Sequence, residues 1–203
     1  VELLHSKCHF PQLLTPYQKA DDLFRTAMKK KISTQSPKFF LNYASFLFDT
    51  MAAPDRARGL LARALQSLPA HTHVETTSKF GQLEFRSANG DIERGRTVFE
   101  GLLSSFPKRI DLWNVLIDLE MKAGDAEQVR RLFERVLGLQ HKKGSVTVDP
   151  SKKVKPKQAR FLFKKWLAFE EKLAAAEGGD EKMVEETKAR AAAYVKSLQE
   201  EEE

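Results

Sequence analysis

The sequence predicts an all-α fold: an α-solenoid of about five antiparallel helix pairs. Three observations carry this. A five-position apolar stripe with helical spacing recurs four times at a near-constant interval. A second set of helices, with its own register, lies between the stripes. Strand signals are scarce, the one short β-branched alternation being Ser145 to Val148 inside a polar stretch.

The clearest stripe is Val129, Leu132, Phe133, Val136 and Leu137, at i, i+3, i+4, i+7 and i+8, one apolar face of a helix. The same spacing appears in Ala20, Leu23, Phe24, Ala27 and Met28, and in Ala57, Leu60, Leu61, Ala64 and Leu65. The fourth copy is Gly95, Val98, Phe99, Leu102 and Leu103. Successive copies are offset by 37, 38 and 34 residues. A period of this size marks stacked helix pairs, because one pair cannot bury both of its apolar faces alone.

The intervening helices carry residues at positions 0, 3 and 7. These are Trp113, Leu116 and Glu120, then Phe163, Trp166 and Glu170. Phe40, Tyr43 and Leu47 fill another copy, and Thr77, Phe80 and Glu84 the remaining one. Positions 0, 3 and 7 share a helical face, so two large side chains and one carboxylate point the same way.

The punctuation fits these elements. Pro37, Pro54, Pro69 and Pro107 fall in the gaps, where proline can open a helix. Asn89-Gly90-Asp91 and Gly124-Asp125 place a helix-ending glycine before an N-capping aspartate. The predicted map is a partial pair at 1–31, pairs at 36–68, 72–106 and 108–140, and a fifth pair at 156–199. The Ala-rich, charged helix from Asp180 to Leu198 suits an end cap. The expectation is one repeat domain over 1–203, with a basic insert at 141–156 and an acidic tail at 199–203. The chain starts at Val1 with no signal-peptide pattern, so it reads as a fragment of a longer protein.

Hydrophobic residues make up 41% of the chain and charged residues 31%, which is ordinary for a globular protein and too apolar for wholesale disorder. No run approaches the roughly 18–20 apolar residues of a membrane helix. Cys8 is the only cysteine, so no internal disulfide or cysteine-based zinc site can form. The net charge of +6 is unevenly spread. Residues 177–203 hold nine acids and four bases, whereas residues 1–176 hold 30 bases against 19 acids. A basic body points to a polyanionic partner such as RNA; the competing reading is a solvated lysine-rich surface.

The aromatic-x-x-aromatic-x-x-x-Glu helix followed by Val129-Arg130-Arg131-Leu132-Phe133-Glu134-Arg135-Val136-Leu137 resembles the half-a-TPR (HAT) repeat of RNA-processing scaffolds. Repeats two and three depart from it, with Leu47 for the glutamate and Thr77 for the first aromatic. Longer stretches resemble the C-terminal repeat domain of the ribosomal RNA processing protein five (programmed-cell-death-eleven) family. They include Ala64 to Pro69, Lys79 to Phe85, Phe106 to Trp113 and Phe161 to Glu170. The match is best from about 55 to 172 and poor at 1–15, in the insert and in the tail. The resemblance implies OB-fold repeats elsewhere in a full-length member. It also implies work in small-subunit ribosomal RNA maturation, in the small-subunit processome of the nucleolus.

The glutamates Glu84, Glu120 and Glu170 could be read as catalytic acids. Their common register instead predicts pairing with arginines of the stripe helices, such as Arg96, Arg130 or Arg135, because buried carboxylates need partners. Phe40, Tyr43, Phe80, Trp113, Phe133, Phe163 and Trp166 sit on the apolar faces and are predicted core, rather than base-stacking platforms. Tyr17 and Phe10 lie off those faces. His71, His73 and Glu75 lie at a loop-to-helix junction without helical zinc spacing. His5 and His9, beside Cys8, have that spacing but precede Pro11. No phosphate-cradling loop or nucleophile signature appears, so neither a cofactor, a metal nor an enzymatic activity is expected.

The candidate RNA contacts begin in the insert, with Lys142, Lys143, Lys152, Lys153 and Lys155. They continue onto the following helix as Lys157, Arg160, Lys164 and Lys165. A second basic set includes Lys108 and Arg109, near Arg94 and Arg96. Lysines on a loop suit sequence-independent phosphate contact; the bland reading is a solvated loop. The expected partners are protein components of pre-ribosomal particles and pre-rRNA, with no membrane and no small-molecule substrate. The chain is expected to act as a monomer within a large nuclear, nucleolar complex. The alternative is a protein-only HAT-repeat adaptor of a splicing or mRNA 3′-end processing complex.

Overall fold

The computed structural model describes residues 15–30, 35–142, 145–149, 154–177 and 181–199. It is an all-α helical-repeat structure that divides into two compact units, residues 1–95 and 96–203.

The first unit contains α1 (Pro16–Ala27), α2 (Pro37–Ser45), α3 (Pro54–Ser67) and α4 (His73–Arg86). A π-helical turn (Phe46–Thr50) extends α2, and a 3-10 turn (Ala70–Thr72) leads into α4. Helix α5 (Ile92–Ser105) carries the boundary. The second unit contains α6 (Ile110–Ala123), α7 (Ala126–Leu137), a hairpin of β1 (Leu139–Lys142) and β2 (Ser145–Val148), α8 (Pro156–Glu177) and α9 (Glu181–Gln199). The helices fall inside the predicted spans. The predicted first helix of the first pair lies outside the described residues.

Local chemistry sets the helix ends. Prolines open α1, α2, α3 and α8, where the missing N–H costs nothing. The Asp125 carboxylate accepts from Gln128 N at 3.0 Å and caps α7. Gly124 ends α6 at φ 87°, in the left-handed region that favours glycine. Gly95 opens its stripe for a different reason. A Cβ there would lie 2.6 Å from Phe85 Cδ2, so only glycine lets α5 start this close to α4.

The stripes form the core. Val129, Leu132, Phe133, Val136 and Leu137 are all buried, as are Ala57, Leu60 and Ala64. Phe40, Tyr43 and Phe48 fill the first unit, and Tyr43 stacks on Phe24 at 4.6 Å. Trp166 is 0% exposed and stacks on Phe133, centroids 5.2 Å apart and planes within 4°. The stripe of α1 departs from expectation at Leu23, which is 71% exposed. Asp21, Phe24 and Met28, at spacing 0, 3 and 7, set the inward face of α1. Leu23 points roughly 200° from Asp21 at ~100° per residue, and so faces water.

The predicted carboxylate pairing is present and has a direction. Arg58 on α3 donates to Glu84 on α4, at 2.7 and 3.0 Å. Arg96 on α5 donates to Glu120 on α6, both bonds at 2.7 Å. Arg130 on α7 donates to Glu170 on α8, at 2.9 and 2.7 Å. Each arginine of a second helix thus holds the glutamate of the next repeat's first helix in a two-pronged bond, the geometry that suits a guanidinium. Glu84, Glu120 and Glu170 are buried. Further donors reach two of them: Asp91 N to Glu84 at 2.9 Å and Trp166 Nε1 to Glu170 at 2.9 Å. Arg135 does not join this series. It binds Glu100 with two bonds of 2.6 Å and lies over the Trp113 ring at 5.0 Å, because its position on α7 faces back toward α5 and α6.

The first joint is wired the other way. Asp21 occupies the register of Arg58, Arg96 and Arg130, one residue after the start of its stripe, and Leu47 stands where the glutamates stand. The buried Asp21 carboxylate accepts from Arg56 at 2.7 and 2.9 Å and from Tyr43 Oη at 2.7 Å, with Arg25 at 3.1 Å. Burial opposes its ionisation. The hydrogen bonds from Arg56 and Tyr43 and the charges of Arg56 and Arg25 outweigh that, and hold its pKa below the ordinary aspartate value.

Two predictions follow from these joints. Glu120→Ala strands Arg96 and lowers stability by about 2 kcal/mol, below the usual cost of breaking a buried pair because Arg96 keeps some solvent and Asp125. Arg96→Met with Glu120→Leu recovers most of that loss, since such a pair nearly breaks even against apolar side chains. Urea unfolding followed by circular dichroism measures both, and an unchanged midpoint in Glu120→Ala would rule the pair out as a stabilising joint. For Asp21, the depressed folded pKa means its contribution is present above the unfolded pKa of about 4 and is lost as pH falls through the folded value. Thermal melts of Asp21→Asn should therefore lie well below the parent at pH 7 and approach it at pH 3.

Candidate interaction surface

The chain leaves α7 through Gly138, at φ 68°, and enters β1. β1 and β2 pair antiparallel, with Leu139 opposite Val148 and Gln140 opposite Thr147. Asp149 N donates to Gly138 O at 2.8 Å and closes the base. Leu139 is buried, and β2 packs against α9. The insert predicted as a loop is thus partly a hairpin. The signal was visible, because Ser145-Val146-Thr147-Val148 is rich in β-branched residues and alternates polar with apolar as a strand does. What the sequence hid was the partner strand, Leu139 to Lys142, which runs straight on from a helical stripe.

The predicted basic residues separate into two groups. Arg109 donates to Asp111 at 2.8 and 2.6 Å, and this bond raises its pKa above the ordinary value. Arg94 stays on its own helix end with Asp91 at 3.5 Å, and Arg96 serves Glu120. Lys165 reaches Asp118 at 2.9 Å and the Asn114 side chain at 3.4 Å. Arg96 and Lys165 are held within the fold, whereas Arg94 and Arg109 pair on the surface, their side chains 60% and 49% exposed. Lys108, Lys155, Lys157, Arg160 and Lys164 are exposed. The last four lie within ten residues at the start of α8, where Lys155 N donates to Gln158 Oε1 at 3.2 Å. Lys142 ends β1, and Lys143, Lys152 and Lys153 lie outside the described residues.

No family model matches the chain. It is 47% identical over 176 residues to the rRNA biogenesis protein rrp5 of Schizosaccharomyces pombe, covering 87% of this chain and 9% of that protein. It is 36% identical over 181 residues to the Protein RRP5 homolog of Mus musculus, covering 89% and 8%. It is 35% identical over 181 residues to the rRNA biogenesis protein RRP5 of Arabidopsis thaliana, again covering 89% and 8%. The chain belongs to the RRP5 family. It spans less than a tenth of the length of these relatives.

This RRP5-family segment keeps all seven of its predicted core aromatics inside. Phe40, Tyr43, Phe80, Trp113, Phe133, Phe163 and Trp166 are all buried. Trp113 Nε1 donates to Pro107 O at 2.9 Å, which settles the polar end of that ring. Tyr17 is exposed as expected, as are Phe106 and Phe161, which the stripe reading passed over. Phe10 lies outside the described residues, together with His5, Cys8 and His9. His73 Nε2 lies 2.8 Å from Leu68 O at the turn before α4, and His71 is exposed. Among the described residues no cluster of three His, Cys, Asp or Glu side chains comes together, and no helix is long and apolar enough to cross a membrane.

Proposed function

We propose that this segment is a non-catalytic scaffold domain of a ribosome biogenesis factor. It serves pre-rRNA processing and small-subunit assembly in the nucleolus, docking proteins of the pre-ribosome and touching pre-rRNA with its basic insert. The observation that carries this is the run of exposed cations at Lys155, Lys157, Arg160 and Lys164, which follows the insert lysines in sequence, in a chain whose relatives bear rRNA biogenesis names. The HAT-type pattern of the repeats supports the scaffold part. Stacked helix pairs offer long faces for docking and do not depend on a catalytic cleft. The buried glutamates support it too: each is held by an arginine, which leaves it no free role as an acid or base. The chain acts as a monomer within its complex, in the nucleus.

The direct test is fluorescence anisotropy of the chain with a structured pre-rRNA fragment at two salt concentrations. The parent is compared with a variant in which Lys142, Lys143, Lys152, Lys153 and Lys155 are changed to Glu. The expected result is binding that weakens steeply with salt and is largely lost in the variant, as phosphate contact requires. Binding that the variant retains would move RNA off the insert. No binding even at low salt would favour the protein-only adaptor.

A further inference from the structure

Helix α8 carries an aromatic ring on its outer side. Phe161 is 52% exposed, although its neighbours Leu162 and Phe163 are buried. At ~100° per residue it points roughly 160° round the helix from Phe163. Phe163 is the ring that meets Tyr194 of α9, with centroids 5.5 Å apart. Phe161 therefore faces away from the core and from the side that packs on α9.

The repeat does not require a ring there. Phe161 stands two residues before position 0 of its helix, Phe163. The same place holds Lys38, Glu75 and Asp111 in the three other copies. All three are charged and exposed. Packing asks for a water-facing residue at this position, and α8 supplies an aromatic one. Single exposed apolar side chains are ordinary on a protein surface. This one is set apart by its register and by the charges around it.

From Pro150 to Phe169 the sequence has seven lysines and arginines and no acid. Lys157 and Lys164, at i−4 and i+3 from Phe161, lie along one side of the ring, and Lys165, at i+4, lies on the other. Lys157 and Lys164 are exposed. Lys165 takes Asp118 of α6 at 2.9 Å, so that carboxylate is neutralised by a cation of its own. The first acid of α8, Glu170, is buried and held by Arg130.

We infer that Phe161 is a stacking platform for an unpaired base of single-stranded RNA, with Lys157 and Lys164 on the neighbouring phosphates. The inference deepens the RNA contact proposed above and rests on it. A base has a π-face of ring size and its strand is charged throughout, so one exposed ring with cations along one side suffices. Lys157 and Lys164 lie roughly 10 Å apart along the axis at 1.5 Å per residue, so one strand can reach both while its base covers the ring. Bases inside a duplex are stacked on one another and offer no face to a side chain. A protein partner suits the position less. Interface cores gather apolar side chains and are depleted in lysine, whereas the residues one turn from Phe161 are Lys157, Gln158, Lys164 and Lys165.

The test uses the whole chain and fluorescein-labelled probes read by anisotropy. The probes are a short oligoadenylate, an abasic strand of equal length and charge, and an RNA duplex. The parent is expected to bind the oligoadenylate about tenfold more tightly than the abasic strand, as one stacked base provides. Phe161→Ala and Phe161→Leu bind both strands alike, at the parent's abasic affinity, and Phe161→Trp keeps the difference. Duplex binding is the same in all four proteins. Lys157→Ala with Lys164→Ala instead lowers the slope of log K against log salt by about 1.4, because a single strand contributes about 0.7 per phosphate neutralised. Phe161→Ala leaves that slope unchanged. Should Phe161→Ala melt early, Phe161→Leu, closer in bulk, decides.

Equal binding of the two strands by the parent overturns the platform and leaves the RNA contact standing. So does a preference for the base-bearing strand that Phe161→Leu retains. Binding of no probe even at low salt overturns the RNA contact itself, and the platform with it. A dimer, seen by light scattering, that Phe161→Ala dissolves assigns the ring to a protein contact and also overturns the proposal.

Discussion

The interaction on which the repeats depend is a guanidinium of one helix pair gripping a carboxylate of the next. A carboxylate buried among aromatic rings pays a large desolvation cost, which only a well-aligned cation offsets. Relative to a pair of apolar side chains the net gain is small. The penalty for misplacing either partner is not. A slip of one residue along the helix would carry a glutamate some 100° away from its arginine and leave a charge buried alone. Arg58–Glu84, Arg96–Glu120 and Arg130–Glu170 therefore act as register pins more than as glue. The stripes, which would tolerate a slide along the groove, supply the burial.

The first joint shows the same rule with the charges exchanged. Asp21 takes the arginine register and Leu47 the glutamate register, and the carboxylate is then satisfied by Arg56 and Tyr43. Two positions of the repeat thus vary together, because a change at one without the other would leave a buried charge unpaired.

Positive charge in this chain serves two ends. Arg58, Arg96, Arg130 and Lys165 are committed to internal carboxylates or amides, and Arg109 to its neighbour. Each such pair is neutral and leaves the net charge of +6 unchanged, so the number of bases, and not the net charge, overstates what a polyanion would meet. The exposed cations at the start of α8 are a smaller set, and their grouping there says more about a partner than the total of +6 does.

Much of the architecture was legible in one dimension. The stripe period, the prolines and the Gly-Asp junctions fixed the helices and their pairing, because helical burial is periodic and helix ends need specific residues. The shared register of Glu84, Glu120 and Glu170 announced a structural carboxylate. Tertiary structure alone decided which arginine each one takes. Arg58 shares with Arg96 and Arg130 the position one residue after its stripe begins, whereas Arg135, which had an equal claim on sequence, turned to Glu100. It also decided the outward turn of Leu23 and the pairing of Ser145–Val148 with a strand that follows directly on a helix. Sequence periodicity tells which face of a helix goes inward. Partners come from residues 24 to 40 positions away, and only packing brings those together.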